Sequence, residues 1–137
     1  MKESSWNDCI GESSALKISP DRARAKSLVE TADERIKLIV EISERNCNFA
    51  FEDYYTSAME TLQALVLLRG YKISNHVCLG FYVRDVLKRD DLHALFDDIR
   101  YKRNSLTYYG KRMDFETAKQ AIERCKKMMK EIKALLG

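Results

Sequence analysis

The residues best suited to binding chemistry lie in one stretch, from Arg100 to Arg112, which holds three arginines, two lysines and three tyrosines. Helical spacing brings Arg103, Asn104 and Tyr108 near one another over about one and a half turns. A guanidinium presents paired N–H donors to a phosphate, and tyrosine adds a ring face and a hydroxyl. The stretch therefore predicts a site for the sugar-phosphate backbone or a base of single-stranded RNA.

A structural interpretation of the same residues stays open. Arg100 and Arg103 would form ion pairs with Asp97 and Asp98, and the tyrosines would close one end of a helical bundle. The overall charge does not decide between the two, because 24 basic and 21 acidic residues leave a net charge of only +3. Such a bias permits an anionic partner without requiring one.

Other groups that carry chemistry are sparse. His93 is expected at the surface near a helix start and His76 in an early helical turn, and neither is predicted to be catalytic. The four cysteines lie far apart without a CxxC pair, so we expect free thiols of a reducing compartment and no zinc site. They are Cys9, Cys47, Cys78 and Cys125. No Gly-rich phosphate loop is present, and no metal or cofactor is predicted.

The elements that must position these residues are helices. One proline and five glycines among 137 residues favour long helices over a many-stranded sheet. The first helix is predicted after a Ser19 cap, with an apolar stripe that continues to Ser43. Four more are predicted over about 51–69, 76–88, 90–109 and 114–136, and no strand is predicted. Residues 1–18 are predicted to be a flexible lead and residues 19–137 one all-α domain.

The lysine-rich face of the last helix, over 119–133, is expected to be a solvated surface, with a nucleic-acid patch as the alternative. No stretch reaches the roughly 18 apolar residues that a membrane span needs. The N-terminus lacks the apolar core of a signal peptide. We therefore expect a cytoplasmic protein.

The second predicted helix carries a family resemblance. Its sequence, YYTSAMETLQALVLLRGYK over 54–72, resembles the second helix of the HEPN (higher-eukaryote and prokaryote nucleotide-binding) domain. In that family a long first helix leads into a Tyr-rich helix ending in a Leu-rich run and Gly-Tyr. An Arg-Asn segment and a long final helix follow. The chain matches this order from about Ser19 to Leu136.

The resemblance implies an up-and-down four-helix bundle with an additional short helix. It also implies a homodimer, with the arginine motif at or near the interface between the two copies. Many HEPN proteins are metal-independent RNA endonucleases, often toxins. Others are partners of a minimal nucleotidyltransferase or modules that bind nucleotide or RNA, and no cofactor is implied.

The family's catalytic signature is an arginine, four to six residues, and then a histidine. Arg103-Asn104 matches its beginning, but Tyr108, Tyr109 and Gly110 stand where the histidine is expected. Tyrosine, with a pKa near 10 rather than about 6.5, is poorly suited to proton transfer at neutral pH. The sequence therefore predicts a binding or partner module without full ribonuclease activity. Its site residues would be Arg100, Arg103, Asn104, Tyr108, Tyr109 and Lys111.

Two alternatives remain. One is an active ribonuclease that uses Arg103 and Tyr108. The other is an adaptor that binds only protein, through the apolar run over 65–68.

Overall fold

The computed structural model describes residues 2–136, most of them in helices, which confirms the all-α class. The helices are α1 (Trp6–Gly11), α2 (Arg22–Lys37), α3 (Cys47–Leu68), α4 (His76–Phe81), α5 (Asp90–Tyr109) and α6 (Phe115–Leu136). A short π-helical turn, Tyr82–Val86, continues α4. Two three-residue strands, β1 (Ala15–Lys17) and β2 (Tyr71–Ile73), pair antiparallel. The sequence did not predict this pair.

Helix α3 is the central element. It buries fifteen of its residues, and both α2 and α6 pack along it. Its last turn ends at Gly70, whose positive φ of 85° suits a glycine after a helix. The apolar run over 65–68 is part of this core, since Leu65, Val66 and Leu67 are at most 5% exposed. Only Leu68 of this run is partly exposed, so most of the apolar surface proposed for an adaptor is buried within the folded chain.

The N-terminal segment differs from the expected flexible lead. Helix α1, β1 and the Cys9–Cys78 disulfide fasten it to the rest of the chain. Trp6 packs edge-on against the rings of Tyr71 and Tyr82, with centroids 5.2 Å away in both cases. Elements of three and six residues are too short to show a period in the sequence, and tertiary contacts stabilise them.

The disulfide also corrects the prediction of four free thiols. Only Cys47 and Cys125 are free, and both are buried. Sequence spacing could not predict the bridge, because Cys9 and Cys78 are separated by 69 positions and meet only when α1 packs on α4.

Helix α2 is shorter than its apolar stripe predicted. Asp21, rather than Ser19, caps its start by accepting the Arg24 N–H. The helix ends at Lys37, and an irregular connection over 38–46 follows in which Val40 is 96% exposed. The Asn46 carboxamide accepts the Ser43 N–H and so shapes the turn before α3.

The predicted starts and ends of α5 and α6 agree with the structure. Gly110 terminates α5 in the left-handed conformation, and Asp114 accepts the Thr117 N–H at the start of α6. Asn48 joins the connection between them to α3, because its side chain bonds both the N–H and the carbonyl of Met113. None of the helices over 2–136 has the length and apolar character that a membrane crossing would require.

Candidate anion-binding site

Three helices meet around the guanidinium of Arg103. It projects from α5 over the ring of Tyr55 on α3, with its central carbon 5.4 Å from the ring centroid. The same carbon lies 5.6 Å from the ring of Tyr108, one turn further along α5. The spacing of Arg103 and Tyr108 predicted this meeting, whereas it gave no sign of Tyr55. Cation–π contacts of this kind orient the arginine without neutralising its charge.

Neither Arg100 nor Arg103 has a carboxylate within 4 Å among residues 2–136. Asp98 binds Lys102 and Arg124 instead, and Asp97 approaches His93. The structural interpretation that paired both arginines with Asp97 and Asp98 is therefore wrong.

The helical repeat explains this result. At about 100° per residue, Asp98 and Lys102 lie on one side of α5, and Arg100 and Arg103 lie nearly opposite. One face of α5 therefore keeps two cations that no acidic side chain of residues 2–136 approaches within 4 Å.

His76 is also part of this cluster, although the sequence did not predict it as a site residue. It is the first residue of α4, and its Nδ1 lies 2.9 Å from the hydroxyl oxygen of Tyr55. Burial lowers the pKa of His76, and the charges of Arg103 and Arg100 lower it further. The imidazole is therefore neutral at neutral pH. An anion bound between the arginines would offset their charge and favour protonation of His76.

The packing of α4 against its neighbours sets the position of His76. The Asn75 side chain caps α4 by accepting the Cys78 N–H, and the disulfide attaches the same turn to α1. At Gly80 the helix approaches α5 so closely that an added Cβ would lie 2.7 Å from the Phe96 ring. A glycine at this point thus allows α4 to lie beside the helix that carries the arginines.

Tyr55 is a fixed neutral partner rather than a proton acceptor. Its side chain is buried, and burial raises its pKa to about 12 against the opposing charges of Arg103 and Arg100. When the Nδ1–H of His76 donates to the Tyr55 oxygen, the Nε2 atom of the imidazole is free to accept a proton. In this tautomer the Nε2 atom of His76 can act as a general base next to a site for an anion.

The other predicted site residues lie along the exposed end of α5. The Asn104 Oδ1 is 3.5 Å from a guanidinium nitrogen of Arg103, at the limit of a hydrogen bond. Tyr108 is 66% exposed and Tyr109 81% exposed. Tyr109 and Lys111 make no ring or ion contact with Arg103 in the part of the chain that the structure describes. They lie beside the cluster and not inside it.

A further exposed aromatic ring, which the sequence did not predict as part of the site, lies near this end of α5. Phe49 is 58% exposed, and the guanidinium of Arg112 lies over its ring at 6.0 Å. Both flank the connection that Asn48 fastens through Met113. The surface therefore combines free basic groups with exposed ring faces, a combination that suits the phosphates and bases of a single strand.

The site is an open surface, and two grooves of about 620 and 600 Å³ lie elsewhere, along α6. Within residues 2–136, no cluster of three or more His, Cys, Asp or Glu side chains could hold a metal ion. No protein-family model, curated protein or solved structure matches this chain.

Proposed function

We propose that this protein is a HEPN-type helical module that binds the phosphate groups of RNA or of a nucleotide through Arg100 and Arg103. The observation that carries the proposal is the pair of arginines without carboxylate partners, set against Tyr55, His76 and Tyr108. Arginines on a half-buried helix face usually form ion pairs within the protein. Two guanidinium groups left unpaired on one face favour an external anion.

The surroundings of the arginines support a nucleic-acid ligand over a simple ion. Tyr108 and Tyr109 present exposed rings, and a base stacked on a tyrosine contributes about 1–3 kcal/mol. Asn104 can add a hydrogen bond to a phosphate or a base. The proposed site thus keeps Arg100, Arg103, Asn104 and Tyr108 of the predicted residues, adds His76 and Tyr55, and has Tyr109 and Lys111 at its edge.

The direct test is a binding titration with a fluorescent single-stranded RNA of about ten nucleotides at several salt concentrations. We expect Arg103→Ala to weaken binding at least tenfold and to reduce the salt dependence, because one phosphate contact is lost. Arg22→Ala, which removes an exposed arginine of α2, is the matched control and should change affinity less than twofold. Equal losses in the two variants would refute the site.

The resemblance also leads us to propose a homodimer and, as its partner, a minimal nucleotidyltransferase. Both claims rest on the resemblance, which the helix order supports. Measurement of the mass in solution tests the first, and co-purification with a nucleotidyltransferase encoded beside this chain tests the second. A monomer at high micromolar concentration would contradict the dimer.

A second candidate function, a metal-independent endoribonuclease, is favoured by the position of His76. The Nε2 of His76 would accept the proton of an RNA 2′-hydroxyl as its oxygen attacks the adjacent phosphorus. The bond to the 5′-oxygen would then break, and the 5′-oxygen would leave as a hydroxyl with a proton taken from water. A 2′,3′-cyclic phosphate would remain, with Arg103 neutralising the charge that develops on the phosphate. His76 would supply the base that the arginine motif lacks in sequence.

The nuclease is tested with a DNA oligonucleotide that contains a single ribonucleotide, in the presence of EDTA. Cleavage only at that position, lost in His76→Ala but retained in Tyr108→Phe, would support His76 as the base. An all-DNA oligonucleotide is the control. Cleavage that persists in His76→Ala would refute this mechanism and leave the binding proposal intact.

A further inference from the structure

A second basic surface, unrelated to Arg103, lies between α2 and α6, and we call it the lysine groove. Its floor is apolar and consists of Ile36, Tyr54 and Met129. Lysines rise along its sides: Lys37 from α2, and Lys126 and Lys130 from α6. An apolar floor with a rim of one charge suits a ligand that is itself apolar on one side and oppositely charged on the other.

The charge of the lysine groove is only partly compensated. Asp33, the one acidic residue in the lining, is bound by Lys133, and Lys126 is bound by Glu123 outside the groove. Lys37 and Lys130 have no carboxylate within 4 Å among the residues described. Both are exposed, so the groove presents free ammonium groups beside its apolar floor.

A further groove follows on the same helix toward its start. Ile42, Phe115 and Ile122 supply its apolar lining. Glu116 and Glu123 also line it and bind Lys119 and Lys126, whereas Lys127 has no carboxylate within 4 Å in the described chain. From Phe115 to Lys133 the two grooves cover about 27 Å of helix axis at 1.5 Å per residue. The two grooves share no lining residue but follow one another along α6, and we call them together the trough. Seven basic and three acidic side chains line it.

We propose that this trough binds an acidic amphipathic helix of a partner protein. The length fits a partner helix of about 18 residues, whose apolar side chains would cover the floor while its carboxylates meet the lysines. The partner's carboxylates supply the charge that the rim lacks.

Two other occupants fit the trough less well. A second copy of this chain, docked through the same face, would oppose lysines to lysines, because a two-fold interface presents the same surface on both sides. A nucleic-acid strand would satisfy the lysines, but Tyr54 on the floor of the lysine groove is only 6% exposed, and the half-buried ring of Phe115 is covered by Lys119 at 4.9 Å. Buried rings offer no face on which a base can stack, whereas aliphatic side chains can cover such a floor.

The experiment uses the full chain and a labelled 18-residue peptide with leucines on one helical face and alternating glutamate and alanine on the other. Fluorescence anisotropy should show saturable binding. Lys37→Glu with Lys130→Glu should weaken it at least tenfold. Lys17→Glu with Lys72→Glu, the same charge change on the strand pair, is the matched control and should weaken it less than threefold.

Three outcomes would overturn the proposal. One is equal binding of a scrambled peptide of the same composition, which would show attraction without recognition of a helix face. Another is an equal loss of affinity in the two lysine variants. The third is displacement of the peptide by single-stranded RNA, which would make the trough a nucleic-acid surface.

The proposal is independent of the Arg103 site. Arg100→Ala with Arg103→Ala should bind the peptide as the native chain does, while it loses RNA. Peptide binding that disappears in this variant would contradict the separation of the two surfaces.

Discussion

The two sides of α5 carry similar cations in opposite electrostatic situations. On one side Lys102 and Arg124 share the carboxylate of Asp98. Burial alone would raise the pKa of Asp98, but the hydrogen bonds from these two cations hold it below its usual value. On the other side Arg103 lies over the ring of Tyr55, whose hydroxyl contacts His76, and neither Arg100 nor Arg103 has a carboxylate within 4 Å among residues 2–136.

The difference distinguishes cations that are neutralised by a carboxylate within the fold from cations that remain available to an external ligand. Arg124 of α6 binds Asp98 of α5 and so joins the two helices, whereas Lys102 binds the same carboxylate from within α5. Removal of these ion pairs therefore affects the fold. Arg103 is held in place by ring faces, so its removal affects binding. The following experiments test this contrast, from the largest expected effect to the smallest.

Loss of the disulfide should have the largest effect, since it fastens the helix that carries His76. Cys9→Ser should lower the free energy of unfolding by about 2–5 kcal/mol, as is usual when a native bridge is removed. Denaturant unfolding measures this. Added reductant should bring the native chain to the same value and leave Cys9→Ser unchanged. Reductant that lowers both equally would disprove the role of the bridge.

Gly80→Ala should separate α4 from α5. The added methyl meets the Phe96 ring in a packed core, and such overpacking costs about 1–3 kcal/mol. Thermal unfolding should reveal the loss, and RNA affinity should fall with it as His76 moves away from the arginines. Gly11→Ala is the matched control, because nothing lies within 4 Å of a Cβ there. An unchanged melting temperature for Gly80→Ala would contradict the close approach.

Asp98→Ala should lower the stability of the fold without affecting RNA binding. We expect a loss of about 1 kcal/mol of stability, because the carboxylate is partly exposed and its ion pairs are screened by water. RNA affinity should stay within twofold. Arg103→Ala should give the reverse pattern, with stability kept and affinity lost. Asp97→Ala, at a more exposed carboxylate, serves as control. If Asp98→Ala weakens RNA binding as much as Arg103→Ala does, the contrast between the two sides is wrong.

The smallest effect expected is the pH dependence that His76 contributes. Its pKa is lowered in the folded chain, so the unfolded chain binds a proton first as the pH falls below about 6.5. Stability from this group is therefore complete at high pH and is lost on acidification, by at most about 0.7 kcal/mol between pH 7 and pH 6. The contribution of His76 is measured by comparing the free energy of unfolding of His76→Gln with that of the native chain at both pH values. The same pH slope in both proteins would exclude a buried neutral imidazole.

Local signals in the sequence predicted most of the helical structure. The predicted bounds of α5 and α6 agree with the structure, because the signals at Gly110 and Asp114 act through neighbouring backbone groups. The predictions failed where an element is short or where periodicity continues past the end of a helix. The stripe of α2 continued to Ser43, but the helix ends at Lys37, and the apolar side chains beyond it partly face solvent.

The sequence by itself determined the all-α class, the bounds of α5 and α6, and the placing of Arg103 beside Tyr108, because these depend on contacts within one or two helical turns. Only the tertiary structure decided which charges stay unpaired. The rotation of α5 turns Asp98 toward α6 and the arginines toward α3, and α4 brings His76 from 27 positions away. Packing between helices sets these rotations, and no local spacing records them. A histidine absent from the arginine motif in sequence thus lies beside its arginines in space.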